Sequence, residues 1–113
     1  MESQKFAQKW IESWNSHDLK EILNHYSDDI EITTPIIKMA GGINSGMLKG
    51  KKSVADYWEK ALNINPGLHF EVINSFSGVN SVVIYCKGHR GLSAETFFFD
   101  NEGKVISAYA YYE

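Results

Sequence analysis

From Leu68 onward the chain reads as a succession of strands separated by nothing longer than a tight turn: Leu68 to Phe76, Val79 to Lys87, Gly91 to Phe99 and Lys104 to Tyr112. The joints Ser77-Gly78, Gly88-His89-Arg90 and Asn101-Glu102-Gly103 are too short for a crossover, so neighbouring strands must run antiparallel. A meander of this kind needs a cover for one face, and only helices earlier in the chain can supply it. An α+β domain follows.

Within the third run, Ser93-Ala94-Glu95-Thr96-Phe97-Phe98-Phe99, strand alternation places Glu95 on the same face as Phe97 and Phe99. If the helices cover that face, an acid sits in an apolar cavity with no fixed positive partner, and its neutral form is favoured. The opposite parity turns Glu95 to water, where most glutamates lie. With Glu95 inward, the small Ala108 and Ala110 oppose the phenylalanines and leave room for a cavity. Phe98, Tyr109 and Tyr111 then point outward, an apolar patch that a second copy of the chain would cover most simply, as a homodimer.

The first third reads as helix, turn, helix. Phe6, Trp10 and Trp14 recur every four residues, with Ala7 and Ile11 beside them, as one apolar face. Asn15-Ser16-His17 breaks this helix, and Asp18 with Glu21 has the spacing of a capping box before Leu19, Ile22, Leu23 and Tyr26. Ser27-Asp28-Asp29 is a turn cluster, and Ile30 to Thr34 alternates as a strand that ends at Pro35. Between residues 36 and 50, Gly41, Gly42, Gly46 and Gly50 interrupt an apolar stretch, which suits either a pocket mouth or an irregular hairpin packed on the core. A third helix carries Val54, Trp58, Ala61 and Leu62 and stops at Asn65-Pro66-Gly67.

At 113 residues the chain is long enough for one core and too short for two, so residues 1–113 are expected to form a single domain. Eleven basic against fourteen acidic side chains, with no basic block, remove the electrostatic basis for binding nucleic acid or an anionic membrane. Small ligands and protein partners remain. The only cysteine, Cys86, excludes an intrachain disulfide and suits a reducing compartment. No apolar run is long enough for a bilayer, and Met1-Glu2-Ser3-Gln4-Lys5 lacks the apolar centre of a secretion signal, so a cytoplasmic protein is expected.

Other motifs fall short of their chemistry. Gly46 to Ser53 precedes a helix as a phosphate-binding loop would, yet it lacks both the glycine spacing and the Gly-Lys-Ser/Thr triplet. His17, His25, His69 and His89 are never three or four apart, and Cys86 with His89 is a pair without further ligands, so no metal and no cofactor are expected.

Trp10-Ile11-Glu12-Ser13-Trp14-Asn15-Ser16-His17-Asp18-Leu19, His25-Tyr26-Ser27-Asp28-Asp29-Ile30, Leu48-Lys49-Gly50 and Phe99-Asp100-Asn101-Glu102-Gly103-Lys104-Val105 together resemble the NTF2-like superfamily, in particular its SnoaL-like and ketosteroid isomerase branch. The resemblance implies a cone, a strongly curved antiparallel sheet wrapped around three N-terminal helices, with a deep apolar pocket at one end. It places the isomerase's general base on Thr34, its oxyanion tyrosine on Trp10, a supporting tyrosine on Trp58 and its neutral acid on Glu95. Threonine cannot take the proton, so that isomerisation is not expected.

Two functions of different class are consistent with these residues. One is a binding protein whose pocket, lined by Trp10, Trp14, Tyr26, Trp58, Phe97, Phe99 and Tyr112, takes a flat apolar ligand and holds its oxygen on a protonated Glu95. The other is an isomerase, cyclase or hydratase type of enzyme using Glu95 as general acid or base on a flat apolar substrate, with Thr34 as the second candidate catalytic position. A protein-interaction scaffold built on the outer sheet face ranks third.

Overall fold

In the computed structural model, which describes residues 2–40, 43–88 and 90–113, helices α1 (Ser3–Ser16), α2 (Leu19–Leu23), α3 (Pro35–Ala40) and α4 (Lys51–Ile64) accompany one sheet. Its strands are β1 (Tyr26–Thr33), β2 (Met47–Lys49), β3 (Glu71–Gly78), β4 (Ser81–Gly88), β5 (Gly91–Phe99) and β6 (Val105–Tyr112), in the spatial order β2-β1-β6-β5-β4-β3. The mixed α+β class is as expected. The sheet is not wholly antiparallel, because β1 lies parallel to β6 while the other neighbours are antiparallel.

The helices start and stop for local reasons. Helix α1 buries Phe6, Ala7, Trp10 and Trp14 along one stripe and ends where His17 turns left-handed at φ 61°, with its N–H bonded to the Trp14 carbonyl. The Asp18 carboxylate accepts from the N–H groups of Lys20 and Glu21 and so opens α2. Helix α3 was not foreseen in the glycine-broken stretch. Pro35 occupies its first position, where a missing N–H costs nothing, and the Thr34 hydroxyl accepts from the Ile36 N–H at 3.0 Å.

Ser27-Asp28-Asp29 also departs from expectation, lying inside β1 rather than forming a turn before it. The register against β6 shifts between Tyr26 and Glu31, and the Ser27 hydroxyl accepts from the Asp29 N–H at 3.2 Å, so the polar residues form a bulge. Further shifts occur between Val72 and Asn74 and between Phe98 and Phe99. Bulges bend a strand and increase its twist. The sheet thereby keeps contact with α1 along β3 and β4 and with α4 along β1 and β2.

Registry settles the parity of β5. Glu95 pairs with Ile84 on one side and Ala110 on the other, and Phe97 pairs with Val82 and Ala108. Ile84, Val82 and Phe97 are fully buried, so Glu95 faces the helices. Phe98, Tyr109 and Tyr111 face outward and are exposed.

Candidate functional site

Between α1, α4, the segment before α3 and the inner face of β4 to β6 lies a cavity of about 120 Å³. Trp10 and Trp14 come from α1, Tyr57 and Trp58 from α4, Phe70 from the approach to β3, and Glu95 and Tyr112 from the sheet. A dry apolar void of about 150 Å³ takes a benzene-sized molecule, so this one has room for roughly one ring. The small Ala108 and Ala110 lie on its wall opposite the aromatic side chains of the helices.

The aromatic wall is held by specific contacts. Trp14 stands edge-on to Trp58, with centroids 5.1 Å apart at 78°, and edge-on to Phe70 at 6.0 Å and 83°. Asn15 fixes Phe70 through two bonds: its amide N–H donates to the Phe70 carbonyl at 3.0 Å, and its carbonyl accepts the Phe70 N–H at 2.8 Å. One residue of α1 thereby sets the position of a wall residue contributed from outside the helix, whose ring packs on Trp10 and Trp14.

Glu95 is the acid of the site. Burial raises its pKa from 4.5 to about 8, and no opposing charge among the described residues lowers it. The residue is half-buried, and the surrounding protein strips most of the hydration a carboxylate needs. Its charge in turn reaches the neighbouring groups. Burial first, and then Glu95, raises the Tyr26 and Tyr112 phenols well above their ordinary value. The Tyr57 phenol is raised by burial, partly offset by Arg90, and raised further by Glu95. The Cys86 thiol, also raised by burial, shares a 3.2 Å hydrogen bond with the Ser93 hydroxyl on the cavity wall.

Of the residues named from sequence, Trp10, Trp14, Thr34, Trp58, Glu95 and Tyr112 border the cavity. Tyr26, Phe97 and Phe99 do not. Tyr26 is fully buried beneath it, where its hydroxyl accepts the Trp10 indole N–H at 3.1 Å. That bond occupies Trp10's only polar atom, leaving nothing there to hold a ligand oxygen. Phe97 fills the core between Phe6 and Trp10, with centroids 5.0 and 5.5 Å away, and Phe99, beyond a register shift after Phe98, packs on Phe6 with centroids 5.0 Å apart. Thr34 is 8% exposed and its hydroxyl is engaged in capping α3.

Tyr57, Phe70 and Cys86 were missed. Cys86 alternates with Val82 and Ile84 and could have been placed inward by parity; Tyr57 lies beside Trp58 on the flank of the α4 stripe; Phe70 precedes its strand and carried no periodic signal. Trp14 Nε1 is buried without a hydrogen-bond partner among the described residues. His89, Gly41 and Gly42 lie outside the described residues. Among the described residues no three His, Cys, Asp or Glu side chains are grouped to hold a metal, and no helix is long and apolar enough to cross a membrane.

The SnoaL-like domain family matches this chain over residues 7–108. A SnoaL-like protein of unknown function from Burkholderia thailandensis is 44% identical and superposes with a TM-score of 0.95, covering 97% of this chain and 92% of that one. A putative isomerase of the SnoaL-like family from Agrobacterium tumefaciens is 14% identical with a TM-score of 0.77, covering 98% and 97%. A hypothetical protein from Catenulispora acidiphila with a ketosteroid isomerase-like fold, solved in complex with trimethylamine, is 13% identical with a TM-score of 0.75, covering 99% and 88%. At such identities these last two show the fold alone. No curated protein matches the chain. With its family match spanning nearly its whole length, the chain belongs to the SnoaL-like family and carries the NTF2-like fold.

Proposed function

We propose that this protein binds a small apolar molecule of about one ring in the aromatic cavity and holds one of its oxygens on the Glu95 carboxylic acid. The observation that carries this reading is an acid on an aromatic wall with no counter-charge among the described lining residues: its pKa of about 8 keeps it protonated at neutral pH, so it donates a hydrogen bond to a carbonyl or hydroxyl oxygen. The cavity volume favours a cyclic ketone or a simple phenol over a steroid.

Tryptophan fluorescence tests it, since Trp10, Trp14 and Trp58 all border the cavity. Cyclohexanone and simple phenols should quench saturably, and their affinity should fall about tenfold between pH 7 and pH 9 as Glu95 loses its proton. In Glu95→Gln, which keeps a donor and cannot ionise, that fall should disappear. Absence of saturable quenching by every compound would overturn the reading.

A second reading rests on the same pKa: a carboxyl titrating near the working pH is suited to general acid or base chemistry. Turnover lost in Glu95→Gln with ligand binding retained would establish it. Thr34, capping α3, supplies no base.

The outer sheet face supports a homodimer. Phe76, Tyr109 and Tyr111 are 55%, 41% and 54% exposed, and Phe76, Val83, Thr96 and Tyr109 form one cross-strand row. Light scattering should give twice the chain mass, and Tyr109→Asp or Tyr111→Asp should reduce it to one. A monomeric wild type would contradict the dimer. An interaction scaffold using this face for a different protein remains the third reading, and the same substitutions would break that assembly.

A further inference from the structure

Tyr57 from α4, Cys86 from β4 and Tyr112 from β6 line the cavity with Glu95. Burial, and with it the Glu95 charge, raises the pKa of all three and of the buried Tyr26 of β1 as well, and the Arg90 charge lowers Tyr57 and Tyr112. None of these lining groups is a cation, and among the described residues no Lys, Arg or His lines the cavity. Trp14 meets both Trp58 and Phe70 nearly at right angles, so the rings around the void form walls on more than one side. Aromatic walls meeting at right angles, with one carboxylate and no counter-ion among the described lining residues, make up the chemistry that recognises an alkylammonium ion: ring quadrupoles attract the charge, and the acid supplies the opposite one.

We propose that the cavity also takes a compact alkylammonium ion, with Glu95 as its counter-ion and Trp14, Trp58, Tyr57 and Tyr112 as its walls. This rests on the ligand-binding reading above and adds a second, charged class of ligand to the same site. The empty site holds Glu95 protonated at pH 7; a bound cation stabilises the ionised form and expels that proton. By linkage, the cation binds more tightly as pH rises, opposite to the neutral ligands.

Isothermal titration with tetramethylammonium chloride, whose charge does not titrate, tests this at constant ionic strength against sodium chloride. The expected result is saturable binding that tightens at least tenfold from pH 6 to pH 9. At pH 7, comparison of two buffers with different ionisation enthalpies should show about one proton released per ion bound. Glu95→Gln should lose the proton release and at least tenfold in affinity, while keeping the near-UV circular dichroism of the wild type, which shows that its aromatic packing is intact. No saturable binding of the ion, or binding unchanged in Glu95→Gln, would overturn the proposal. If cyclohexanone binds the wild type and the ion does not, the cation proposal alone fails. If neither binds, the ligand-binding reading fails with it.

Discussion

Glu95→Gln should make the protein more stable than wild type at pH 9 and nearly equal to it at pH 4. The folded-state pKa of about 8 lies above the unfolded value of 4.5, so between these limits the folded state binds more protons than the unfolded chain. The contribution of Glu95 is therefore fully present below about pH 4.5, declines as pH rises, and is gone above about pH 8. Above that, the folded state bears the whole cost of an unpaired carboxylate in an aromatic cavity. The full shift corresponds to about 5 kcal/mol, and the partial solvent contact of the side chain brings the expected difference to about 2–4 kcal/mol. Against a total of about 5–15 kcal/mol for a domain, this is large. Urea denaturation at pH 4, 7 and 9 measures it, with the m-value unchanged. Parallel stability profiles for the two proteins would mean that the carboxyl is ordinarily hydrated.

Phe97→Ala should destabilise the fold by about 3–5 kcal/mol. Phe97 is 0% exposed, and its ring meets Phe6 and Trp10 edge-on, so its loss removes apolar burial and leaves a void that neither rigid neighbour can fill. Trp10 is also a wall of the site, and the loosened indole should weaken ligand affinity along with stability. Phe97→Leu, which retains most of the volume, should cost less than half as much. A fall below about 1 kcal/mol in the alanine variant would show that Phe97 is not the wedge between α1 and the sheet.

The outline of the fold was legible because period and punctuation agree over long stretches. The four-residue recurrence of Phe6, Trp10 and Trp14 can be satisfied only by a helix, and the short joints only by antiparallel neighbours, although the first joint lies at Val79-Asn80, two residues beyond the expected Ser77-Gly78, which belongs to β3. Parallel pairing of β1 with β6 was not legible, since it joins segments far apart in the chain through backbone groups that every residue carries. Ser27-Asp28-Asp29 has the composition of a turn, and a bulge uses the same side chain to backbone bond. Helix α3 arises where Pro35 and Thr34 form a helix start that the surrounding glycines obscured.

For the site, alternation was sufficient to place Glu95, Phe97 and Phe99 on one face, but not to separate the cavity from the core beneath it. Glu95 lines the void; Phe97, two residues on, lies under α1 against Phe6 and Trp10; and Phe99, beyond the register shift after Phe98, packs on Phe6. That division depends on where the helices cross the sheet. Tyr26 was likewise inward yet consumed by the Trp10 indole, a pairing across sixteen residues that neither local sequence reveals.

The most direct measurement is a ¹³C NMR titration of the Glu95 side-chain carboxyl in the ligand-free protein, assigned by its absence in Glu95→Gln. A midpoint near pH 8 is expected for an acid held neutral in an aromatic cavity. A midpoint in the ordinary range near 4.5 would contradict it, leaving a hydrated carboxylate at neutral pH and no acid to donate a hydrogen bond to a ligand.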